Sequence, residues 1–229
     1  MQTTVFQRYA EEDLSEFSVR DIKYARARLG LLDALLEELQ HSPIHQIRVR
    51  DLCRRAEVSE SAFFNYYPQK DDLLFLFVRL WSIDAALFNR STPSGLEMLR
   101  GFYNYTGRIA EQHPYLMKEL LSYQARTDIP GRAQFVPPLR PCEKVMVFGR
   151  VPGMEDISDL GIRGLIQLGL TDAIRQGELP AIDLEQAMIS VGSVFFGVAG
   201  LLASRDFQGL PEAYARSLRI VFSGLGAGS

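Results

Sequence analysis

The chain has 229 residues, of which 47% are hydrophobic and 23% charged, with a formal net charge of −3 and a pI near 5.7. This length fits one large domain or two modest ones with a sizeable core. The acidic balance excludes a wholly basic nucleic-acid binder, although a local basic face remains compatible with it. Two cysteines, Cys53 and Cys142, cannot build a disulfide framework and are typical of a reducing cytoplasm.

The N-terminal segment, residues 1–20, mixes charges with isolated aromatics and predicts a partly disordered tail. It has neither the basic start nor the apolar core of a secretory signal. A first helix is predicted to begin near Asp21 and to end at the sequence HSPIHQ, because a proline cannot continue the helical hydrogen bonds. Four leucines at steps of three and four make one apolar stripe on it. They are Leu29, Leu32, Leu36 and Leu39.

Three short helices are predicted next. The second helix lies in VRDLCRRA, where Val49, Leu52, Cys53 and Ala56 share one face. A turn follows at residues 57–58. Ser59 is a favourable N-cap for the third helix, and Pro68 ends that helix. The fourth helix opens with KDDLLFLFVRLW, where two acids lie near its positive end.

The third helix crowds four aromatics around one asparagine. Phe63 and Tyr67 are separated by four residues and share the face that meets the core. Ser61 and Asn65 share the opposite face, with Ala62 beside them. Two further aromatics, Phe64 and Tyr66, flank this small polar front.

A small polar front is what a helix needs to enter the major groove of DNA, where asparagine can pair with adenine. A helix, a short turn and a second helix form the helix-turn-helix arrangement. The alternative is a small amphipathic helix in an ordinary helical core.

Beyond the fourth helix, the sequence predicts helices at residues 93–112, 114–126, 157–176, 183–205 and 211–223, and no strands. Residues 127–156 are rich in Pro and Gly and have no clean period. They predict a long loop, either a lid carrying Phe135, Met146 and Phe148 or a disordered segment. The apolar run at 187–204 predicts a buried bundle helix in preference to a membrane span, because it contains three glycines and lacks an aromatic belt or a basic cluster.

No catalytic or metal-binding constellation is recognisable. The sequence has no Cys-x-x-Cys pair, phosphate-binding loop or Gly-x-Ser-x-Gly elbow. His41 and His45 are four residues apart, but Pro43 between them makes a helical metal pair improbable. We therefore expect no catalytic residues, no metal and no cofactor, and we expect that the chain is not an enzyme.

The segment IRVRDLCRRAEVSESAFFNYYPQKDDLL, residues 47–74, resembles the DNA-binding signature of the TetR family of bacterial transcriptional regulators. Residues 49–53 resemble the family's second helix, Val58-Ser59 its turn, residues 63–67 its recognition helix, and Lys70 the lysine that opens the next helix. Upstream, RLGLLDALLEEL resembles the first helix, with Arg28 at the usual arginine. The resemblance implies an all-α fold.

That fold would place a three-helix DNA-binding domain at residues 21–80, after the tail, and a larger effector-binding and dimerisation domain at 81–229. Four positions depart from the family pattern. Glu57 replaces a glycine whose φ is often positive, Glu60 adds a negative charge, Phe64 replaces a tyrosine, and Arg48 replaces a Ser or Thr cap.

By position, the resemblance implies base contacts from Ser61, Ala62 and Asn65. It implies phosphate contacts from Arg48, Arg50, Ser59, Tyr66 and Lys70. It implies a dimer interface on the helix at 183–205, formed by Val191, Val194, Phe195 and Val198. Candidate effector contacts are Phe102, Tyr103, Thr106, Met117, Leu120, Tyr123, Leu165 and Leu168, each of which also fits plain core.

The function that these expectations favour is a cytoplasmic, homodimeric repressor on a palindromic DNA operator, released by a small, largely apolar effector. The alternative is a helical small-molecule-binding protein whose DNA-binding head is degenerate. A helical enzyme is a third class, and no constellation of residues supports it.

Overall fold

The computed structural model describes residues 13–88, 95–126, 136–152, 154, 157 and 160–227. Within these ranges the protein is all-helical, which confirms the predicted fold class. The helices are α1 (Val19–Glu38), α2 (Val49–Arg55), α3 (Glu60–Tyr66), α4 (Leu73–Phe88), α5 (Leu96–Gln112), α6 (Pro114–Arg126), α7 (Pro141–Phe148), α8 (Gly161–Arg175), α9 (Leu184–Leu202) and α10 (Leu210–Gly224). Residues 1–12 of the tail predicted at 1–20, and residues 93–94 of the helix predicted at 93–112, lie outside the described residues. The described end of that tail includes the start of α1, which begins at Val19, two residues before the predicted Asp21.

The chain forms two compact units, and the boundaries between them fall inside α4 and α6. The first unit comprises Met1–Trp81 and Ser122–Asp159, and the second comprises Ser82–Leu121 and Leu160–Ser229. The sequence predicted a single division near residue 80. The first unit instead draws on a second stretch of chain, residues 122–159, in addition to α1, α2 and α3.

The first unit is built on α1. Ser18 caps this helix, and its hydroxyl accepts a hydrogen bond from the backbone N–H of Asp21 at 3.1 Å. Leu29, Leu32 and Leu39 of the predicted stripe are at most 3% exposed. Leu36, the fourth leucine of the stripe, is half-buried, so the predicted apolar stripe is confirmed at three of its four positions. The helices α2 and α7 pack against α1.

The helix α7 lies inside the segment that the sequence predicted to be irregular. It begins with Pro141 at its first position, where a missing N–H costs nothing, and Glu143 accepts a hydrogen bond from the backbone N–H of Arg140 at 2.8 Å. Met146 is buried and Phe148 is half-buried in this helix. Phe135 and the rest of 127–135 lie outside the described residues.

The second unit is held together by a cluster of aromatic rings. The Phe195 ring of α9 stacks against Phe102 with centroids 5.7 Å apart and against Tyr214 with centroids 5.9 Å apart. Tyr103 and Tyr214 donate their hydroxyls to backbone carbonyls of α9, so both buried polar groups are satisfied. At Gly107 of α5, an added Cβ would lie 2.9 Å from the backbone nitrogen of Pro211, so α5 and α10 cross at a separation that requires glycine.

The apolar helix α9 has a buried side and an exposed side. By length and hydropathy alone the segment Leu184–Arg205 is able to cross a membrane, and 28% of its most apolar window is buried. Its exposed side includes Ile189 and Leu201, which are 55% and 81% accessible. A buried core helix would have both sides covered by protein. The helix α9 therefore departs from the predicted buried helix on the side that carries Ile189 and Leu201.

Candidate nucleic-acid interface

The turn between α2 and α3 sets the geometry of the interface. Glu57 adopts a φ of +54°, the left-handed conformation that the sequence predicted for a position where glycine is usual. Ser59 then caps α3, its hydroxyl accepting a hydrogen bond from the backbone N–H of Ala62 at 3.1 Å. Arg48 occupies the N-cap of α2 without a capping side-chain hydrogen bond, so α2 begins without the usual cap.

The inner face of α3 is fully buried, as the spacing of its aromatics predicted. Phe63 and Tyr67 are 0% exposed, and their ring centroids lie 5.7 Å apart. Burial raises the pKa of the Tyr67 phenol, which therefore stays neutral. The helix is anchored through these two rings, which fixes the direction in which its opposite face points.

A buried arginine holds the end of α3. Arg28 of α1 is 0% exposed and donates from Nε to the hydroxyl of Tyr67 at 3.0 Å. Its terminal nitrogens donate to the carbonyls of Pro137 and Pro138 at 2.9 and 3.3 Å and to Glu143 of α7 at 3.1 Å. Burial raises the pKa of the Glu143 carboxyl, and the Arg28 charge opposes that rise. Sequence reasoning identified Arg28 by its position but had no signal for its distant partners.

The exposed residues of α3 differ in part from those that the sequence predicted on its outer face. Glu60, Ser61, Phe64 and Asn65 are exposed, and we call these four residues the exposed strip. Ala62, which was predicted at the base edges, is half-buried and lies at the margin of the strip. Phe64 was predicted at the edge of the front and lies within the strip instead.

The other margin residue, Tyr66, is half-buried because it packs against the first helix. Its ring meets the Tyr24 ring edge to face, with centroids 5.2 Å apart. Contact with α1 therefore covers the Ala62 and Tyr66 side of α3 and leaves the Phe64 side open.

The residues predicted to contact phosphates differ in how available they are. Arg48, Arg50 and Ser59 are exposed. Lys70 instead donates its ammonium to the carbonyl of Ile47 at 2.6 Å and to that of His45 at 3.3 Å. This side chain fastens the segment that leads into α2, a role that the sequence did not indicate.

Two other arginines of α2 are engaged with carboxylates. Arg54 pairs with Asp51 at 3.1 Å, and Arg55 pairs with Glu38 at 2.7 Å and also with Glu37. Their contribution to a local positive field is therefore partly neutralised, and Arg48 and Arg50 are the stronger candidates for phosphate contacts.

The helix-turn-helix geometry of α2 and α3 agrees with the result of comparing the chain with known protein families. Residues 31–76 match the family model described as "Bacterial regulatory proteins, tetR family". The matched segment runs from α1 through α2 and α3 into α4 and includes the whole exposed strip. The resemblance to the TetR family that the sequence shows is confirmed over these residues. No curated protein matches the chain significantly.

Solved structures extend the likeness to nearly the whole chain. The Thermus thermophilus repressor FadR, described as a TetR-family protein in complex with lauroyl-CoA, has a TM-score of 0.63 at 19% identity over 88% of this chain and 96% of its own. A TetR-family regulator from Marinobacter aquaeolei VT8 has a TM-score of 0.52 at 17% identity over 92% and 100%. A protein studied for control of antibiotic production by bacterial hormones has a TM-score of 0.54 at 16% identity over 91% and 99%. At these identities the likeness establishes the fold.

The predicted effector contacts are divided between the two units, seven in the second and one in the first. Phe102, Tyr103 and Thr106 are fully buried in the second unit, where the Thr106 hydroxyl donates to the carbonyl of Phe102 at 2.8 Å. Of the other candidates on that unit, Met117 and Leu165 are buried, Leu120 is half-buried and Leu168 is 46% exposed.

One predicted effector residue belongs to the other unit. Tyr123 lies in the first unit, with its hydroxyl 3.4 Å from Asp72. A groove of about 460 Å³ in that unit lies beside α7 and the arm before α1, and none of the predicted effector residues lines it.

The predicted dimer residues also divide by face. Val191, Val194 and Phe195 are at most 8% exposed and belong to the core of their own unit, and Val198 is half-buried. Val191, Val194 and Phe195 are thus covered by the same chain, and only Val198 of the four keeps part of its surface open to a partner. The exposed residues of α9 are on its other side, where Gly197 and Gly200 have open space around the position of a Cβ.

A buried carboxyl in the second unit escaped the sequence reasoning. Asp84 of α4 accepts a short hydrogen bond from the Tyr105 hydroxyl of α5. Burial raises the pKa of Asp84 to about 6. Nothing in the local sequence distinguishes Asp84 from an exposed acid, because its partner is supplied by another helix.

Among the residues that the structure describes, no group of three or more His, Cys, Asp or Glu side chains is arranged to hold a metal ion.

Proposed function

We propose that this TetR-family regulator is a cytoplasmic, homodimeric repressor that binds a palindromic operator and leaves it when a small, largely apolar effector binds the second unit. The observation that carries the proposal is the exposed strip, Glu60, Ser61, Phe64 and Asn65, on a helix whose back is fixed by buried aromatics. A pre-oriented outward face is what a recognition helix needs to read base edges.

In this proposal, Asn65 pairs with an adenine and Ser61 contacts a neighbouring base edge. Ala62 lies at the margin, where it permits close approach. The phosphate contacts come from Arg48, Arg50, Ser59 and Tyr66. The contribution of Lys70 is indirect, because its ammonium is bonded to the carbonyls that precede α2.

The dimer would form through the exposed sides of α9 and α10. Ile189 and Leu201 of α9 and Ile220 of α10 are 55%, 81% and 72% exposed. Gly197 and Gly200 leave room for a partner helix to approach closely. Two copies joined here would present two α3 helices to major grooves about 34 Å apart on a palindrome.

The effector proposal is supported by the second unit and by one solved relative. FadR from Thermus thermophilus, whose fold this chain shares, is described in complex with lauroyl-CoA. Release of the operator requires that the effector bind one conformation of the regulator more tightly than another. A suitable probe is lauroyl-CoA in a thermal-shift titration, with free coenzyme A as the matched control that lacks the apolar chain.

The competing function is a ligand-binding protein whose DNA-binding head has degenerated. Two observations favour it: Glu57 holds a left-handed conformation usually given to glycine, and Glu60 places a carboxylate in the exposed strip. Both functions predict effector binding, so only DNA binding separates them.

The deciding experiment is selection of duplexes from a randomised library by the full-length protein, followed by gel-shift titration at two salt concentrations. The repressor proposal expects a specific duplex whose affinity falls as salt rises. Asn65→Ala is expected to weaken that affinity by about 1–3 kcal/mol. Asn104→Ala, on α5 of the second unit, is the same chemical change away from the strip and should leave it intact.

A second variant tests the phosphate contacts. Arg48→Gln is expected to weaken binding to all duplexes alike and to reduce the salt slope by about 1. Failure to select any duplex with a folded wild-type protein would favour the degenerate head.

A further inference from the structure

Phe64 is an exposed apolar ring at the centre of a surface that otherwise carries polar groups. It is 53% accessible, and its neighbours in the exposed strip are Glu60, Ser61 and Asn65. Partly exposed apolar side chains are common singly on protein surfaces. This one lies on the helix that we assign to base reading, so its position within the strip gives it a specific partner surface.

The ring of Phe64 is held in place from behind. Its centroid lies 5.2 Å from that of Phe63 at an interplanar angle of 84°, an edge-to-face contact. Phe63 is itself fully buried. The exposed ring is thus supported by a fixed one, and little conformational freedom would be lost when it meets a partner.

The chemistry of a phenyl ring restricts what it can contact on DNA. Phosphate oxygens are recognised by hydrogen-bond donors and cations, and a phenyl ring supplies neither. In the major groove, the apolar feature of the base edges is the C5-methyl group of thymine. A phenyl ring within the strip can therefore make an apolar contact with a thymine methyl group, and it has no hydrogen bond to offer the DNA phosphates.

The charge beside the ring supports the same placement. Glu60 lies one turn before Phe64 on the same side of α3 and is exposed. A carboxylate at that edge is repelled by phosphates, so contact between this side of the helix and the DNA backbone is disfavoured. On the opposite margin, Ala62 and Tyr66 are half-buried, so the open side of the strip is the side of Phe64.

We propose that Phe64 is a specificity-determining residue that packs against the C5-methyl group of a thymine in the operator. This inference rests on the proposed function, because it requires that α3 enter the major groove. It assigns to Phe64 a part in sequence discrimination, in place of the hydroxyl contact that the tyrosine expected at this position would add.

The test replaces thymidine by deoxyuridine, which removes only the methyl group, one position at a time in the tightest duplex selected from a randomised library. Gel-shift titrations compare wild type, Phe64→Ala and Phe64→Leu. For wild type we expect about a fourfold loss of affinity at one thymine of each half-site. Phe64→Ala should bind the thymidine and deoxyuridine duplexes equally, and Phe64→Leu should keep most of the discrimination.

Circular dichroism and thermal melting establish that Phe64→Ala is folded, which its exposure leads us to expect. If no thymine position affects wild-type binding, or if Phe64→Ala keeps the full penalty, the assignment of Phe64 is overturned while specific DNA binding stands. If wild type selects no specific duplex at all, the proposed function and this inference are both overturned.

Discussion

Arg28 Nε and the hydroxyl of Tyr67 are joined by a hydrogen bond of 3.0 Å, which connects α1 to the C-terminal end of α3. Both side chains are completely buried. The positive charge of Arg28 is balanced by Glu143, whose side chain is also fully buried. The orientation of α3 therefore depends on a charge pair inside the first unit.

Removing one partner of this pair should destabilise the protein strongly. Arg28→Met leaves Glu143 as a buried carboxylate without a counter-charge and removes the donor to Tyr67. We expect a loss of about 3–5 kcal/mol in the free energy of unfolding. Urea denaturation followed by circular dichroism measures this loss.

The matched control is Arg54→Met, the same substitution at an arginine whose side chain is 77% exposed and paired with Asp51. Its expected effect is within about 0.5 kcal/mol. The double variant Arg28→Met/Glu143→Leu should recover part of the stability, because no charge is left buried alone. If the double variant loses as much free energy of unfolding as Arg28→Met and Glu143→Leu lose together, the two side chains are not coupled.

Replacing Glu57 by glycine should increase the stability of the protein. At a φ of +54° a residue with a Cβ is strained by about 1–2 kcal/mol, and glycine is not. Glycine also gains entropy in the unfolded chain, so we expect Glu57→Gly to raise the free energy of unfolding by about 0.5 kcal/mol. Thermal melting compares it with Glu57→Ala, which removes the same charge but keeps the strain. Equal melting temperatures for the two variants would contradict the strain.

Stability should depend on pH through Asp84. Burial raises its pKa from an ordinary value of 3.8 to about 6, so between these two pH values the folded protein binds more protons than the unfolded chain. The contribution of this carboxyl to the free energy of unfolding is therefore fully present below pH 3.8 and is lost as pH rises to about 6.

The variant Asp84→Asn stays neutral at every pH and keeps an oxygen that accepts from Tyr105. We expect it to be more stable than wild type at pH 7.5 and to lose this advantage as pH falls towards 4. Urea titrations at several pH values give the difference, and Glu212→Gln on the exposed side of α10 is the control. A difference that does not change with pH would rule out Asp84 as the titrating group.

The proposed dimer makes a specific prediction about α9. Leu201→Glu places a charge on its exposed apolar side, near the C-terminal end of the helix, and should convert dimers to monomers in sedimentation velocity runs. Val19→Glu, at an apolar residue of α1 that is 70% exposed, should have no effect on the sedimentation coefficient. An unchanged dimer in Leu201→Glu would locate the interface elsewhere.

Local periodicity was sufficient to predict much of the head. The leucine stripe of α1, the burial of Phe63 and Tyr67 and the cap at Ser59 all follow from spacings of three or four residues and from the chemistry of a single side chain. The left-handed conformation of Glu57 followed from the family pattern. These features are determined by neighbours in sequence.

The features that the sequence did not predict depend on distant partners. Glu143 is 115 residues from Arg28, and no local signal connects them. Val191, Val194 and Phe195 of α9 were predicted at an interface and are buried inside their own unit instead. A helix that is apolar on every side has no hydrophobic period from which the inner face can be told from the outer face. The short helix α7 was not predicted, because the prolines and glycines on both sides of it are typical of a loop.

The joining of α7 to α1 has a consequence for the synthesis of the protein. Arg28 leaves the ribosome long before its counter-ion, since 115 residues separate it from Glu143. At about 5–20 residues per second, that delay is roughly 6–23 s. During this interval the nascent chain holds all the residues of the exposed strip but lacks the ion pair that fixes α3, so the strip should take its final orientation only after α7 has been made.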